Sequence, residues 1–188
     1  MRTLELSAFA CTLVLAAPAT RAEPIGLGAR AGMAVSWLSE ETEPIVGATV
    51  GLVASIPVGR TRLFFEPELA FAMKGGGWSA GEGGEDKHYD YIQLPLLLRY
   101  GPRPGFFASA GLAPAVLVHE WRVSHGGVSY SKARPFDVSV VGDLGHDWEH
   151  VRLDLRVEVG LVEAERIESM APPASKTRTL SVALGWRF

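Results

Sequence analysis

Cysteine is almost absent from this sequence. The single one, Cys11, lies in an apolar stretch near the start and follows Ala-Phe-Ala, not the leucine-led pattern that precedes a lipid-modified cysteine. No disulfide can form within the chain. A surplus of positive charge is also missing. Lys and Arg number 18 against 21 Asp and Glu, a net charge of −3, which argues against nucleic acid as a partner. Beyond residue 22 no apolar run approaches the roughly 20 residues of a membrane-spanning helix, yet 47% of the chain is hydrophobic. That apolar surplus has to face something.

What is present begins with a leader. MRTLELSAFACTLVLAAPATRAEP has a charged start at Arg2, an apolar stretch from Leu6 to Ala19, and small residues before a cut expected after Ala22. This is the layout of a secretory signal peptide, so the expected organisation is a signal peptide over 1–22 and one domain over 23–188. Cleavage would remove Arg2, Arg21 and Glu5 together with Cys11 and take the net charge to −4. An exported chain without a thiol depends on packing or on a membrane for its stability.

The rest of the chain repeats a two-residue period. Ile25, Leu27, Ala29, Ala31, Met33, Val35 and Trp37 alternate with small or polar residues, and segments 45–58, 62–74, 88–100, 105–121, 135–145, 151–162 and 179–188 do the same. The seventh is the sharpest: Val151, Leu153, Leu155, Val157, Val159 and Leu161 oppose Arg152, Asp154, Arg156 and Glu158. Such alternation marks strands with two unlike faces. It runs through TLSVALGWRF to the last residue, Phe188, where chain ends are ordinarily frayed and polar.

The connections alternate too. Residues 59–61, 101–104 and 146–150 are short, whereas 38–44, 75–87, 123–133 and 164–178 are longer and more polar. Short turns on one side and long loops on the other are the pattern of an up-and-down barrel in an outer membrane. The fold class expected is therefore all-β, an eight-stranded antiparallel up-and-down transmembrane barrel closed by pairing of the first and last strands.

A soluble ligand-binding barrel in the periplasm would also alternate, with its apolar face inward. Three features favour lipid. Gly26, Gly28, Gly32, Gly47, Gly51, Gly111, Gly145, Gly160 and Gly185 lie on the polar face and suit a crowded lumen. The charges on that face (Arg30, Glu66, Glu68, Lys74, Arg99, Asp137, Asp143, Arg152, Asp154, Arg156, Glu158 and Arg187) are of both signs and can pair inside a closed barrel. On the apolar face Phe65, Tyr100, Phe106, Trp186 and Phe188 fall near the short turns and Trp37, Phe71 and Phe136 near the long loops, as two interfacial girdles would. Pro67 and Pro95, inside strands, are expected to mark bulges or gaps in the ladder.

FFEPELAFAMKGGG (64–77), YDYIQLPLLLRYGP (89–102), GFFASAGLAPAVLV (105–118) and RVEVGL (156–161) resemble the outer-membrane β-barrel proteins labelled porin-family or PorT-like, small barrels of the OmpA/OmpX type. In those proteins a strand with a Pro-Glu-Leu core ends in Lys-Gly, and the next carries Leu-Pro-Leu-Leu-Leu-(Lys/Arg)-Tyr. The resemblance implies a Gram-negative outer membrane and insertion by the barrel-assembly machinery through a C-terminal signal formed by Val182, Leu184, Trp186 and Phe188. It implies no single activity.

Little in the sequence points to chemistry. His146 and His150 flank two acids in a short turn, not on a helix where that spacing aligns ligands. His125 with Ser124, Ser129 and Ser131 invites a hydrolase reading, but no base and orienting acid can be assigned to them. The glycine-rich 75–87 lacks the Gly-Lys-Ser/Thr ending of a phosphate loop. No catalytic, metal or cofactor residue is therefore assigned. The expectation is a monomeric, non-enzymatic protein with a structural or surface-interaction role. Its lumen would be plugged by paired charges, with Arg152, Asp154, Arg156 and Glu158 meeting Glu66, Glu68, Arg99 or Asp143, and low pH would weaken that network. Expected contacts are outer-membrane lipid, lipopolysaccharide and an unknown surface partner through loops 75–87 and 123–133, where Trp78 and Tyr130 lie. A lipid-modifying enzyme, such as a lipid A deacylase, is the alternative.

Overall fold

The computed structural model describes residues 25–38, 43–78, 85–101, 105–124, 132–163, 165–166 and 176–188. The proposed leader, including Cys11, lies outside them. Eight strands account for nearly all of the described chain: β1 Gly26–Trp37, β2 Ile45–Pro57, β3 Leu63–Trp78, β4 Glu85–Gln93 continued by Leu96–Tyr100, β5 Phe106–Ser124, β6 Phe136–Asp147, β7 Val151–Glu163 and β8 Lys176–Arg187. Lys132–Ala133 and Glu165–Arg166 form a separate two-residue pair. No helix among the described residues is long and apolar enough to cross a membrane.

Each strand is antiparallel to the next, and β1 pairs with both β2 and β8, so the sheet closes on itself. The seam runs from Gly28 opposite Arg187 to Trp37 opposite Arg178. Beyond it the Phe188 N–H donates to the Leu27 carbonyl at 2.9 Å, which is what holds the terminal residue.

The alternation resolves into an outward apolar face and an inward polar one. Met33, Leu52, Leu69, Leu112, Leu144, Val157 and Leu184 are exposed, while Arg30, Glu66, Glu68, Lys74, Arg99, Asp143, Arg152, Asp154, Arg156 and Glu158 are buried. This inverts the usual protein and matches a barrel solvated by lipid. Phe65, Tyr100, Phe106, Trp186 and Phe188 stand exposed at the short-turn end, joined by Trp148. At the long-loop end Phe136 is exposed, Trp37 and Phe71 are half-buried, and Trp121 stacks on His88 with ring centroids 3.8 Å apart.

Four strand ends on the long-loop side reach three or four residues beyond the sequence reading. β3 runs on through Gly75–Gly77 to Trp78 and meets β4 from Glu85, so the loop expected over 75–87 contributes strand at both its ends. β5 extends to Ser124, and β8 begins at Lys176, inside the loop expected over 164–178. Polar and glycine residues carry no apolar alternation, so ladder pairing extended where the hydrophobic signal had stopped.

The prolines mark a gap without a bulge. Pro67 opposite Leu96 and Ala70 opposite Gln93 belong to one continuous register. Pro95 has no N–H to give. Its carbonyl accepts from Glu68 N at 2.9 Å, and Leu94 N donates to the Pro114 carbonyl at 2.8 Å. The register shift lies higher on β4 and β5, where Asp90 faces His119 and Tyr91 faces Leu117, leaving Val118 as the extra residue.

Candidate functional site

The lumen is where side chains of the eight strands converge. In a ring of eight, β3 and β7 are four places apart in either direction and face each other across the lumen. Three ion pairs cross that width. The Arg152 guanidinium donates to both Glu66 oxygens at 3.1 Å, Arg156 Nη2 to Glu68 Oε2 at 2.9 Å, and Lys74 Nζ to Glu158 Oε2 at 2.7 Å.

At the short-turn end these charges are knit to an aromatic ring. Glu66 also accepts from Ser55 Oγ at 2.6 Å and from Arg99 Nη1 at 3.4 Å, while Asp147 accepts from Arg99 and from Arg152 Nε at 2.8 Å. Phe107 is turned inward, with the Arg99 and Arg152 guanidinium carbons 4.5 Å and 4.7 Å from its ring centroid. Cation–π attraction of this kind strengthens when the partners are out of water. Gly145 seats the ring: a Cβ there would lie 2.4 Å from Phe107 Cζ.

Midway along the barrel Arg30 donates to Asp154 at 2.8 Å and to Glu68 at 3.3 Å, and Arg156 grips Asp143 through Nε at 2.7 Å and Nη2 at 3.0 Å. Ser109 Oγ adds a bond to Asp143 at 3.2 Å. Higher still, Gln93 Nε2 joins Lys74 on Glu158 at 3.3 Å. Near the long loops Leu38, Tyr89, Tyr91 and Ala115 form a buried apolar cluster with Leu117, and Asp137 lies close to Ser139 and Thr177. Buried ion pairs are retained only when their remaining polar atoms are also bonded, and most here are.

The pairing expected from sequence is met in three of its parts: Arg152 with Glu66, and Arg156 with both Glu68 and Asp143. Asp154 and Glu158 find Arg30 and Lys74 instead. Arg187 is placed at the short-turn rim, 37% exposed, where Nη2 donates to the Trp148 and Glu149 carbonyls at 3.1 Å and 3.0 Å. Sequence reasoning missed Phe107 and Asp147. Both continue the inward parity of their strands, Phe107 through Ser109 and Asp147 through Asp143 and Gly145, so the signal was available.

The other candidates are not brought together. His146 packs against Phe106 and Trp148, and His150 against Trp186, with ring centroids 4.6, 4.5 and 5.6 Å apart. Among the described residues no three His, Cys, Asp or Glu converge as a metal group. His125, Ser129, Ser131 and Tyr130 lie outside the described residues, as do the side chains of Ser124 and Trp78.

A comparison with known families agrees with the barrel fold. The family described as "Outer membrane protein beta-barrel domain" matches residues 18–164. The chain belongs to this family. Its members lie in the bacterial outer membrane, and the match extends from the proposed leader through β7. No curated protein sequence matches the chain.

Solved structures agree on the fold of this outer-membrane barrel. Neisserial surface protein A is 13% identical with a TM-score of 0.52, covering 89% of this chain and 99% of that one. Ail, the attachment invasion locus protein of Yersinia pestis, solved with the heparin analogue sucrose octasulfate, is 12% identical with a TM-score of 0.50, covering 88% of this chain and 100% of that one. At such identities the likeness is one of fold alone.

Proposed function

We propose that this chain is a closed, non-conducting surface protein of the outer membrane with a structural or interactive role and no enzymatic activity. The observation that carries the reading is the set of three ion pairs between β3 and β7, which tie opposite walls together at three heights. An eight-stranded barrel has an interior just wide enough for side chains to fill. Any ion or solute passing through would have to part buried charges from their partners, at about 3–5 kcal/mol for each broken pair.

In this reading the long loops face outward and both termini lie in the periplasm. Exposed aromatics at the two ends anchor the barrel at the membrane interfaces, against lipopolysaccharide on one side and phospholipid on the other. The C-terminal strand ending at Phe188 serves the assembly machinery, and the long loops, 75–87 and 123–133 among them, are the surface offered to a partner. Single-channel recording on purified protein in planar bilayers tests the plug. No steady conductance is expected, and a reproducible open level would overturn it.

A further inference from the structure

Among the described residues, one buried acid in the lumen has no cation. Glu66, Glu68, Asp143, Asp147, Asp154 and Glu158 each meet Arg or Lys. Asp137 does not, although it is only 3% exposed. Its Oδ2 accepts two long bonds, from Ser139 Oγ and Thr177 Oγ1, each at 3.4 Å. Among the described residues its Oδ1, which is buried, has no hydrogen-bond partner, and neither has Thr179 Oγ1, at the next inward position along β8 from Thr177. Asp90, also buried, belongs to the outward side, opposite Met73 and His119.

An ionised carboxylate removed from water without a counter-charge is among the most unfavourable things a fold can hold. The groups around Asp137 suggest what relieves it. A hydroxyl that donates its proton to a carboxylate keeps its lone pairs for another ligand. Gly160, on the strand between them, has no side chain to keep Thr177 from reaching Asp137: a Cβ there would lie 2.6 Å from Thr177 Oγ1. Every atom on offer is a hard oxygen, with no imidazole or thiolate, and that ligand type suits sodium or calcium and not zinc or copper.

We propose that Asp137, with the hydroxyls of Ser139, Thr177 and Thr179, forms a binding site for a small hard cation inside the long-loop mouth of the barrel. The ion supplies the positive charge that Arg and Lys supply to the six acids named above. One carboxylate makes the affinity modest, of order 10⁻⁴–10⁻³ M, as in extracellular calcium modules. The site therefore fills in an external medium and empties on dilution.

The test is thermal unfolding of the purified protein in detergent, followed by circular dichroism, in NaCl, CaCl2 and choline chloride at equal ionic strength. A ligand bound only by the folded state raises Tm with its concentration. A saturable rise of several degrees in sodium or calcium over choline is expected, and the salt that gives it identifies the ion. Asp137→Asn should abolish the increment and Thr177→Val should reduce it. Should Asp137→Asn fail to fold, Thr177→Val carries the test. Equal Tm in all three salts overturns the proposal, as does an undiminished increment in a folded variant.

Discussion

Arg152 and Glu66 face each other across the full width of the barrel, and two hydrogen bonds of 3.1 Å join them. Together with Asp147 and Arg99 they form a closed ionic circuit around the ring of Phe107. Replacing Arg152 by Met leaves Glu66 with one guanidinium and Asp147 with one fewer. The expected loss is about 3–5 kcal/mol in urea unfolding, the usual consequence of removing one partner of a buried pair. Adding Glu66→Gln should restore part of it. A double variant as unstable as the sum of its parts would show that the two residues act independently.

The lipid face predicts a gradient with depth. Val157 is outward and central on β7, whereas Val151 lies at the short-turn end of the same strand. Val157→Arg should cost about 2–4 kcal/mol of folding free energy in lipid vesicles and Val151→Arg about 0–1 kcal/mol. Equal effects at the two depths would contradict a bilayer around β7.

Phe107 and Gly145 form a knob and its seat. Phe107→Ala should cost about 3–5 kcal/mol as a large-to-small change in a packed interior. Gly145→Val should also destabilise, because the added carbon meets both the ring and the Leu153 carbonyl, and only the first of these is relieved when the ring is removed. The double variant should be more stable than the two losses added together, read from denaturant midpoints. Simple additivity would mean that the ring does not rest on Gly145.

The longer reach of β3 and β4 alters where a tag can go. Gly75–Trp78 pairs with Glu85–His88, so a peptide inserted after Gly76 should disrupt the ladder and lower the folded yield. An insert within 79–84 should be tolerated and open to protease added to whole cells. Protection of that insert in intact cells, with cleavage at the turn after β4, would reverse the topology proposed above.

Phe188→Asp should reduce the amount of folded protein recovered from outer membranes more than it lowers the stability of protein refolded in detergent. The bond from its N–H to Leu27 belongs to the backbone and survives the change, so the side chain alone is under test. Equal losses in both assays would make Phe188 a stability residue only.

Much of this molecule was legible in the sequence because one physical signal, period-two alternation, specifies strand, face and solvent together. The seam of β1 with β8 followed from Phe188 ending an alternating strand, and the inward position of Arg156 followed from its place between Leu155 and Val157. The cross-lumen partners were harder. Which acid meets Arg30 depends on strand tilt and stagger, and these come from a register that no local pattern encodes. Glycine-rich pairing at Gly75–Gly77 was invisible for a related reason, since the ladder there is made by backbone groups common to all residues. Asp147 was legible only through strand parity: HDWEH reads as a turn, yet its Asp is the last inward residue of β6.

The seam has a consequence for how the molecule is made. β1 and β8 carry the earliest and the latest strand residues, and they are bonded directly to each other. Until β8 has been made, every intermediate sheet has two raw edges whose N–H and C=O groups are free to capture another chain. The barrel cannot protect itself in stages, as a domain built from local contacts can. From ribosome to membrane the polypeptide must be kept from pairing at all, and the hazard ends only when β8 meets β1.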